Sequence, residues 1–176
     1  NVFRPADRIE TIECWELALK NSKTPSVLSL TRQNLTPVRK KISNTNKCSF
    51  GAYEILRTNK KINITILASG SEVNLAIEAS HKLAKDKIYS KVVSVPCQDI
   101  FDLQPKAYKQ KILGETKFKI SIEAASTDCW HKYVGVEGLT FGIDEFGKSA
   151  PYKKIYKYFG LTAENISKKT KNLIKS

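Results

Sequence analysis

The sequence predicts an α/β protein in which a three-layer C-terminal domain with a mostly parallel sheet follows a helix and a strand from the end of a second α/β domain. An apolar run at Asn63–Ala68, an amphipathic helix and a second apolar run at Lys91–Val95 follow one another within about 35 residues, as in a parallel crossover unit. Apolar residues make up 41% of the chain, enough to build a core. We therefore place the end of one domain at 1–35, a linker at 36–62 and the second domain at 63–176.

The leading part contains one predicted helix and one predicted strand. Arg4–Lys20 is expected to be helical, with Pro5 at the first helical position. Its apolar stripe consists of Ile9, Ile12, Trp15 and Leu19. Ser26–Thr31 is short, apolar or β-branched and flanked by turn residues, which predicts a buried strand. Gln33–Lys47 is rich in Lys, Asn, Ser and Thr and is typical of a linker.

The second part begins with alternating strands and helices. Phe50–Arg57 could form a short strand at the end of the linker, and Asn63–Ala68 has the continuous apolar character of a strand covered on both faces. Ser71–Lys85 carries a helical apolar stripe. Ser69 and Glu72 have the spacing of a capping box at its start.

The pattern continues to the end of the chain. Tyr108–Leu113 is a predicted helix, whereas Phe118–Ile122 alternates apolar and polar residues as a strand does, and Leu139–Ile143 is a further short strand. Two final helices, separated by Gly160 and capped by Thr162, have clear apolar stripes. The stripes are Tyr152, Ile155, Tyr156 and Phe159 in one helix and Ile166, Thr170, Leu173 and Ile174 in the other.

The net charge of +13 could indicate nucleic-acid binding, but its distribution argues against it. Only five of the thirty basic residues are arginine, and the densest basic runs, Arg39–Lys41 and Lys168–Lys169, are not interleaved with aromatic residues. A lysine-rich solvated surface is favoured, with a basic nucleic-acid-binding module as a remote alternative. No apolar run approaches the roughly 20 residues of a membrane helix, so we expect no membrane association.

Cysteine and methionine usage adds two expectations. Cys14, Cys48, Cys97 and Cys129 are too far apart in sequence for a paired metal or redox motif, which favours reduced structural thiols in a cytoplasmic protein. The sequence contains no methionine and starts at Asn1. We therefore expect it to be part of a longer chain.

Arg32 is the strongest candidate for a ligand-binding residue. It follows directly on a predicted strand, and ligands of open parallel sheets sit beyond the carboxyl ends of strands. Its guanidinium could hold a phosphate by paired hydrogen bonds. By position alone, an arginine that only anchors the linker is an equally good interpretation.

Other polar residues favour structural roles. The turn Ser69–Glu72 is better explained by helix capping than by anion binding, since its glycines are sparse and Glu72 would repel a phosphate. Glu123 lacks a second carboxylate at a defined spacing and is expected to be buried and hydrogen-bonded. His81 is expected at the surface, and His131 in a packing or interface role. Without a nucleophile elbow, these residues form no complete catalytic set.

Several short strings together resemble transketolase, in the order and at about the spacing found in the last third of that enzyme. These strings are Asn1–Asp7 (NVFRPAD), Thr31–Leu35 (TRQNL), Ala68–Val73 (ASGSEV), Val93–Pro96 (VSVP), Trp130–Gly135 (WHKYVG) and Phe146–Pro151 (FGKSAP). The resemblance implies that 1–35 is the end of a pyrimidine-binding domain and that 63–176 is a transketolase-like C-terminal domain.

The resemblance also implies a function for the complete enzyme. Transketolases move a two-carbon ketol unit from a ketose phosphate to an aldose phosphate in the pentose phosphate pathway. They use thiamine diphosphate and Mg²⁺ or another divalent cation, bound between the two subunits of a homodimer. All catalytic, cofactor-binding and metal-binding residues would then lie upstream of Asn1, so the present chain is expected to be inactive alone.

Arg32 is the one substrate-binding residue of the family that maps onto this chain, and its implied role is to bind the substrate phosphate. The family usually has serine before this arginine, whereas Thr31 stands here and keeps the hydroxyl. The alternative is another thiamine diphosphate enzyme with the same domain order, namely deoxyxylulose phosphate synthase or the β subunit of a 2-oxo acid dehydrogenase. The two late strings at 130–135 and 146–151 favour transketolase.

Overall fold

The structure, a computed structural model, describes residues 1–175 and has an α/β fold with one small and one large sheet. The strands are β1 (Val2–Phe3), β2 (Val27–Leu28), β3 (Tyr53–Leu56), β4 (Ile64–Ala68), β5 (Ser90–Ser94), β6 (Phe118–Ile122) and β7 (Leu139–Phe141). The helices are α1 (Arg8–Lys20), α2 (Glu72–Lys85), α3 (Gln98–Asp102), α4 (Lys106–Leu113), α5 (His131–Val134), α6 (Tyr152–Tyr158) and α7 (Ala163–Lys175). Two 3-10 turns lie at Lys47–Phe50 and Asp128–Trp130.

The large sheet has the strand order β3-β5-β4-β6-β7. β4 pairs in parallel with both β5 and β6, and β7 pairs in parallel with β6. Only β3, at the edge, is antiparallel to its neighbour β5. The predicted α/β fold with a mostly parallel sheet is confirmed.

Helices cover both faces of the large sheet because the central strands are apolar on both sides. Ile64 and Ile66 of β4 belong to a core that also contains residues of α2 and α7. Leu67, which points to the opposite face, packs in a second core with Phe101 and Trp130 near α3 and α5. Each such buried side chain contributes about 1.5 to 3 kcal/mol to folding.

The last two helices also follow their predictions. Gly160, which follows the C-cap Phe159 of α6, adopts a positive φ of 72°, a conformation that favours glycine. The Thr162 hydroxyl accepts a hydrogen bond from the Asn165 amide (3.2 Å) at the start of α7. Ile166 and Thr170 on the predicted stripe of α7 are fully buried.

The first helix begins later than its sequence predicts. Asp7 is its N-cap and accepts hydrogen bonds from the amides of Ile9 and Glu10, so Pro5 precedes the helix instead of occupying its first position. The segment before the helix is held by Arg4, whose amide donates to the Pro96 carbonyl (2.8 Å) and whose carbonyl accepts from the Gly70 amide (2.9 Å). These two bonds connect the end of β1 to the large sheet.

The predicted apolar stripe of α1 and the predicted buried strand are both largely exposed. Ile9 is buried, but Trp15 and Leu19 are 49% and 76% exposed, and Ile12 is exposed as well. β2 is limited to Val27–Leu28, pairs only with β1 among the described residues, and leaves Val27 59% exposed. The strand predicted as buried is thus exposed within residues 1–175, and the apolar stripe of α1 points away from the large sheet because another face of this helix is turned towards it. The sequence predicts that this helix and strand cannot bury their apolar faces by themselves.

Four acidic residues spaced three apart, which we call the acidic seam, run along α1 from its N-cap: Asp7, Glu10, Glu13 and Glu16. The first three are buried and Glu16 is exposed. Glu10 is fully buried and accepts hydrogen bonds from the hydroxyls of Tyr53 and Ser94 (both 2.6 Å), on strands β3 and β5. Its second oxygen accepts from the Ala6 amide (2.7 Å). The middle of α1 is thereby attached to the large sheet through polar bonds.

The other members of the acidic seam hold the segment after β2. Asp7 accepts from the amides of Val38 and Arg39, in addition to capping α1. Glu13 forms a buried ion pair with Arg39 (2.7 Å) and accepts from the Cys48 amide (3.1 Å). Glu16 accepts from the side-chain amide of Asn46 (2.8 Å). Long stretches of 36–62 without regular structure are therefore fixed along α1, and β3 from the same segment belongs to the large sheet.

Two carboxylates of the acidic seam have opposite electrostatic environments. Burial raises the pKa of Glu10 against the lowering effect of hydrogen bonds from Ser94 and Tyr53, because no cation accompanies the group. Burial also opposes ionisation of Glu13, but the hydrogen bonds from Arg39 and Cys48 outweigh it, so the pKa of Glu13 is lowered. A carboxyl with a raised folded pKa stabilises the fold below its unfolded pKa and loses that contribution as the pH rises. A carboxyl with a lowered folded pKa does the reverse.

We predict that Glu10→Gln and Glu13→Gln change the free energy of unfolding with opposite pH dependence. The free energy of unfolding of E10Q, relative to that of the unmodified chain, should rise from about pH 4 to about pH 7, because the variant lacks a carboxyl whose ionisation is opposed by burial. The same difference should fall over this interval for E13Q. Near pH 7 the free energy of unfolding of E13Q should be about 3 kcal/mol below that of the unmodified chain, since Arg39 stays buried without its partner. Urea unfolding at both pH values measures the two differences.

Glu164→Gln is a suitable control for these variants, because Glu164 forms a solvent-exposed ion pair with Lys82 and should contribute little to stability. Parallel pH dependence of E10Q and E13Q would show that the acidic seam does not contain these two opposed environments.

Candidate functional site

The carboxyl edge of the large sheet brings together residues from both parts of the chain. Ser69 follows β4, Glu123 follows β6, and Arg4 follows β1 of the small sheet. These three side chains, with Cys129 and others, line a cleft of about 280 Å³. This edge is where open parallel sheets bind ligands, so it is the first place to test for chemistry.

Glu123 is fully engaged by its neighbours in this cleft. Its Oε1 accepts from the Ser69 hydroxyl (2.6 Å) and forms an ion pair with Arg4 Nε (2.8 Å). Its Oε2 accepts from the indole nitrogen of Trp130 (2.7 Å). The predicted buried and hydrogen-bonded role of Glu123 is confirmed, since both carboxylate oxygens serve to join Arg4, β4 and the Trp130 turn.

The Ser69–Glu72 turn is built differently from the predicted capping box. Ser69 bonds to Glu123 instead of the helix amides, and Ser71 at the N-cap makes no side-chain capping bond. The buried carboxylate of Glu72 accepts from the Ala124 amide (3.0 Å) and from the Tyr156 hydroxyl (2.5 Å). The capping-box prediction is wrong because these residues tie α2 to β6 and α6. With Glu72 and Glu123 both beside the turn, it is a poor site for an anion.

Arg32 lies apart from this cleft, in the loop that follows β2. Its side chain is exposed, and its guanidinium makes no hydrogen bond or ion pair with residues 1–175. The preceding Thr31 hydroxyl accepts from the Gln33 amide (3.1 Å), which shapes the loop locally. The anchoring contact that would make Arg32 a structural residue is therefore missing from the described part of the chain.

The two histidines take no part in a catalytic arrangement. His81 is exposed on α2, as expected, and His131 is exposed at the start of α5. Its neighbours Trp130 and Tyr133 do the aromatic packing there, with ring centroids 6.0 Å apart. The sequence predicts a packing or interface role for His131, and its exposed side chain excludes packing within residues 1–175, while an interface role stays a prediction.

The described residues contain neither a cluster of metal-binding side chains nor a membrane-spanning helix. Within 1–175, no group of three or more His, Cys, Asp or Glu side chains is arranged to hold a metal ion. No helix in this range has both the length and the apolar character needed to cross a bilayer.

Arg4 lies in the cleft at the carboxyl edge of the large sheet, although the sequence did not identify it as a candidate site residue. It stands inside the predicted helix, and only its position after a two-residue strand lets it reach Glu123. The acidic residues at every third position of α1 are a signal that could have shown which face of that helix meets polar partners.

Comparison with known proteins gives one family throughout. A family model described as the transketolase-like C-terminal domain matches residues 51–162. The chain is 46% identical over 167 residues to a transketolase of Sinorhizobium medicae, covering 94% of this chain and 24% of that protein. It is 42% identical over 174 residues to a probable transketolase of Streptococcus pneumoniae, covering 98% of this chain and 26% of that protein.

Solved structures agree with the sequence relatives. A Pichia stipitis transketolase in complex with sedoheptulose-7-phosphate matches 99% of this chain and 25% of its own, with 36% identity and a TM-score of 0.89. A transketolase from Leishmania mexicana gives 37% identity and a TM-score of 0.88, with the same coverage. The chain spans about a quarter of the length of the relatives it matches.

The cysteines supply a test of the structure at this edge. Cys129 is exposed, whereas Cys14, Cys48 and Cys97 are buried. We predict that Ellman's reagent titrates one thiol in the native chain and all four in denaturant, with Cys129→Ser removing the native reaction. Rapid native reaction of two or more thiols would contradict the placement of Cys14, Cys48 and Cys97.

Proposed function

The chain belongs to the transketolase family, and from this premise we propose that it is the C-terminal part of a transketolase. The complete enzyme would transfer a two-carbon ketol unit from a ketose phosphate to an aldose phosphate. The observation that carries the proposal is a match over 94% or more of this chain to transketolases about four times as long. The sugar phosphate in the Pichia stipitis complex supports this substrate class.

Thiamine diphosphate and a divalent cation are assigned to the complete enzyme and not to this chain. Transketolase relatives imply this cofactor, but residues 1–175 provide no side-chain cluster suited to its cation. The chain's own contribution would be to bind substrate phosphate and to support the domains that hold the cofactor.

Arg32 is proposed as the substrate-phosphate residue. An exposed guanidinium presents five N–H donors in a planar fork, which matches two oxygens of a phosphate monoester. Its position beyond the end of β2, and its lack of a protein partner within 1–175, leave those donors available to a ligand. A phosphate held there would orient the sugar chain without the arginine taking part in bond making.

The exposed apolar side chains of α1 and β2 support the second proposed role, contact with upstream domains. Trp15, Leu19 and Leu30 line an open groove between α1 and β2. In a longer chain, the remainder of the pyrimidine-binding domain would cover this face. A homodimer and a cytoplasmic location follow the same family reasoning and stay predictions.

We predict that the 176-residue chain, supplied with thiamine diphosphate, Mg²⁺ and a ketose and aldose phosphate pair, shows no ketol transfer. The reason is that residues 1–175 hold no set suited to the cofactor's cation. A coupled assay of product formation, with a complete transketolase as positive control, measures this. Turnover by the chain alone would overturn the proposal that the cofactor is bound outside this chain.

We predict that Arg32→Ala in the complete enzyme raises KM for phosphorylated sugars and lowers kcat/KM by about 30-fold to 150-fold, as expected for a lost charge-assisted anchor of about 2 to 3 kcal/mol. Arg32→Lys should recover only part of this, because an ammonium lacks the bidentate fork. Steady-state kinetics with phosphorylated and unphosphorylated sugars distinguish a loss of phosphate binding from a general loss of activity.

Arg8→Ala is the matched control for Arg32, since it removes the same charge from an exposed position on α1. Unchanged kinetics in R32A, or an equal loss in R8A, would remove Arg32 from the substrate site.

A further inference from the structure

The amino edge of the large sheet, opposite the cleft at Glu123, contains a second and larger cleft. Its volume is about 910 Å³, at the upper end of the range for small-molecule sites. Five basic side chains line it with one lining carboxylate, Glu115, and a second carboxylate, Glu54, forms an ion pair with Arg57 (3.2 Å). The basic residues are Arg57, Lys61, Lys91, Lys111 and Lys119.

Lys91 makes this cleft different from an ordinary lysine-rich surface. It lies on β5 and is only 4% exposed, although lysine is almost never buried without a partner. Its ammonium donates one hydrogen bond, to the Lys111 carbonyl (3.1 Å). Among residues 1–175, no carboxylate lies within 4.0 Å of it, so two of its three N–H donors and its charge are not matched.

The other buried charged side chains in the described range are well matched. Glu10 accepts three hydrogen bonds, and Glu72 accepts from an amide and two hydroxyls. Arg39 is paired with Glu13, and Glu123 with Arg4. Lys91 differs from these residues because, among residues 1–175, it has a single hydrogen bond and no ion pair.

The backbone of Gly114 lies close against the ammonium of Lys91, where a larger residue would collide with it. Gly114 has a φ of 73°, and a Cβ at this position would lie 2.9 Å from Lys91 Nζ. Burial lowers the pKa of Lys91, an effect that Glu54 opposes and Arg57 and Lys119 reinforce. An anion in the cleft would relieve this repulsion, since clefts lined by one sign of charge concentrate counter-ions.

We propose that the cleft at the amino edge binds a small molecule with at least two phosphoryl groups, with Lys91 at its floor and Lys61 and Lys111 at its rim. One phosphoryl group would satisfy Lys91, and the spread of the remaining basic groups over a cleft of about 910 Å³ requires a second anionic group. Lysines act as point charges and suit an extended polyanion better than a single, precisely oriented phosphate. The site is separate from Arg32 and does not depend on the proposed enzymatic function.

The test is isothermal titration calorimetry of the 176-residue chain with inorganic pyrophosphate, in Mg²⁺-free buffer at constant ionic strength. Orthophosphate is the single-phosphoryl comparison. Pyrophosphate should bind at least about tenfold more tightly than orthophosphate. Lys91→Met, which keeps the aliphatic stem, should weaken pyrophosphate binding by at least about tenfold, the effect of losing about 1.4 kcal/mol.

Two double variants distinguish loss of the cleft from misfolding of Lys91→Met and from a general effect of net charge. Lys61→Ala/Lys111→Ala changes only exposed rim residues and should also weaken binding about tenfold. Lys157→Ala/Lys168→Ala removes the same charge from exposed positions outside the cleft and should leave Kd within about twofold. Equal losses in the two double variants, or no binding of pyrophosphate by the unmodified chain, would overturn the proposal.

A single-stranded oligonucleotide series distinguishes the remaining ligand class. If affinity grew with oligonucleotide length while pyrophosphate did not bind, the basic cleft would belong to a nucleic-acid surface, and the proposal would be wrong.

Discussion

The acidic seam on α1 determines how the leading part of the chain sits on the large sheet. Four carboxylates at successive third positions meet four different partners: the amides of Val38 and Arg39, the hydroxyls of β3 and β5, the guanidinium of Arg39, and the side chain of Asn46. Buried polar groups of this kind are costly unless satisfied, so only one orientation of α1 is tolerated. The bonds from Arg4 to Pro96, Gly70 and Glu123 then complete the attachment at the carboxyl edge.

This orientation explains why the apolar stripe of α1 faces away from the large sheet. A helix whose polar face is buried against one neighbour must turn its opposite face elsewhere, and Trp15 and Leu19 are therefore exposed together with Leu30 beyond β2. Such a contiguous apolar surface is typical of an interface. The polar attachment of α1 to the large sheet and the exposed apolar surface are two results of the same arrangement, and the loop of Arg32 continues from Leu30 at this surface.

The large sheet could be predicted from sequence because its signals are local. Asn63–Ala68 and Phe118–Ile122 are apolar enough to be recognised as strands, and the stripes of α6 and α7 repeat at helical spacing. The errors concern residues whose role depends on distant partners. Glu72 has the spacing of a capping residue, yet Tyr156 and Ala124 compete successfully for its carboxylate. Likewise, the residues next to Glu10 in sequence give no sign that Tyr53 and Ser94 donate hydrogen bonds to it. The role of Arg32 also depends on groups that are not its neighbours in sequence.

Burial of acidic residues also changes the meaning of the net charge. Five acidic side chains are buried (Asp7, Glu10, Glu13, Glu72 and Glu123), against two basic ones (Arg39 and Lys91). The solvent-exposed residues are therefore more positive than the total of +13 indicates. Sequence position cannot show this, because the acidic residues removed from the surface are scattered among exposed lysines. The excess of positive charge becomes chemically specific where the fold concentrates it. At the amino edge it surrounds Lys91, which forms no ion pair with residues 1–175.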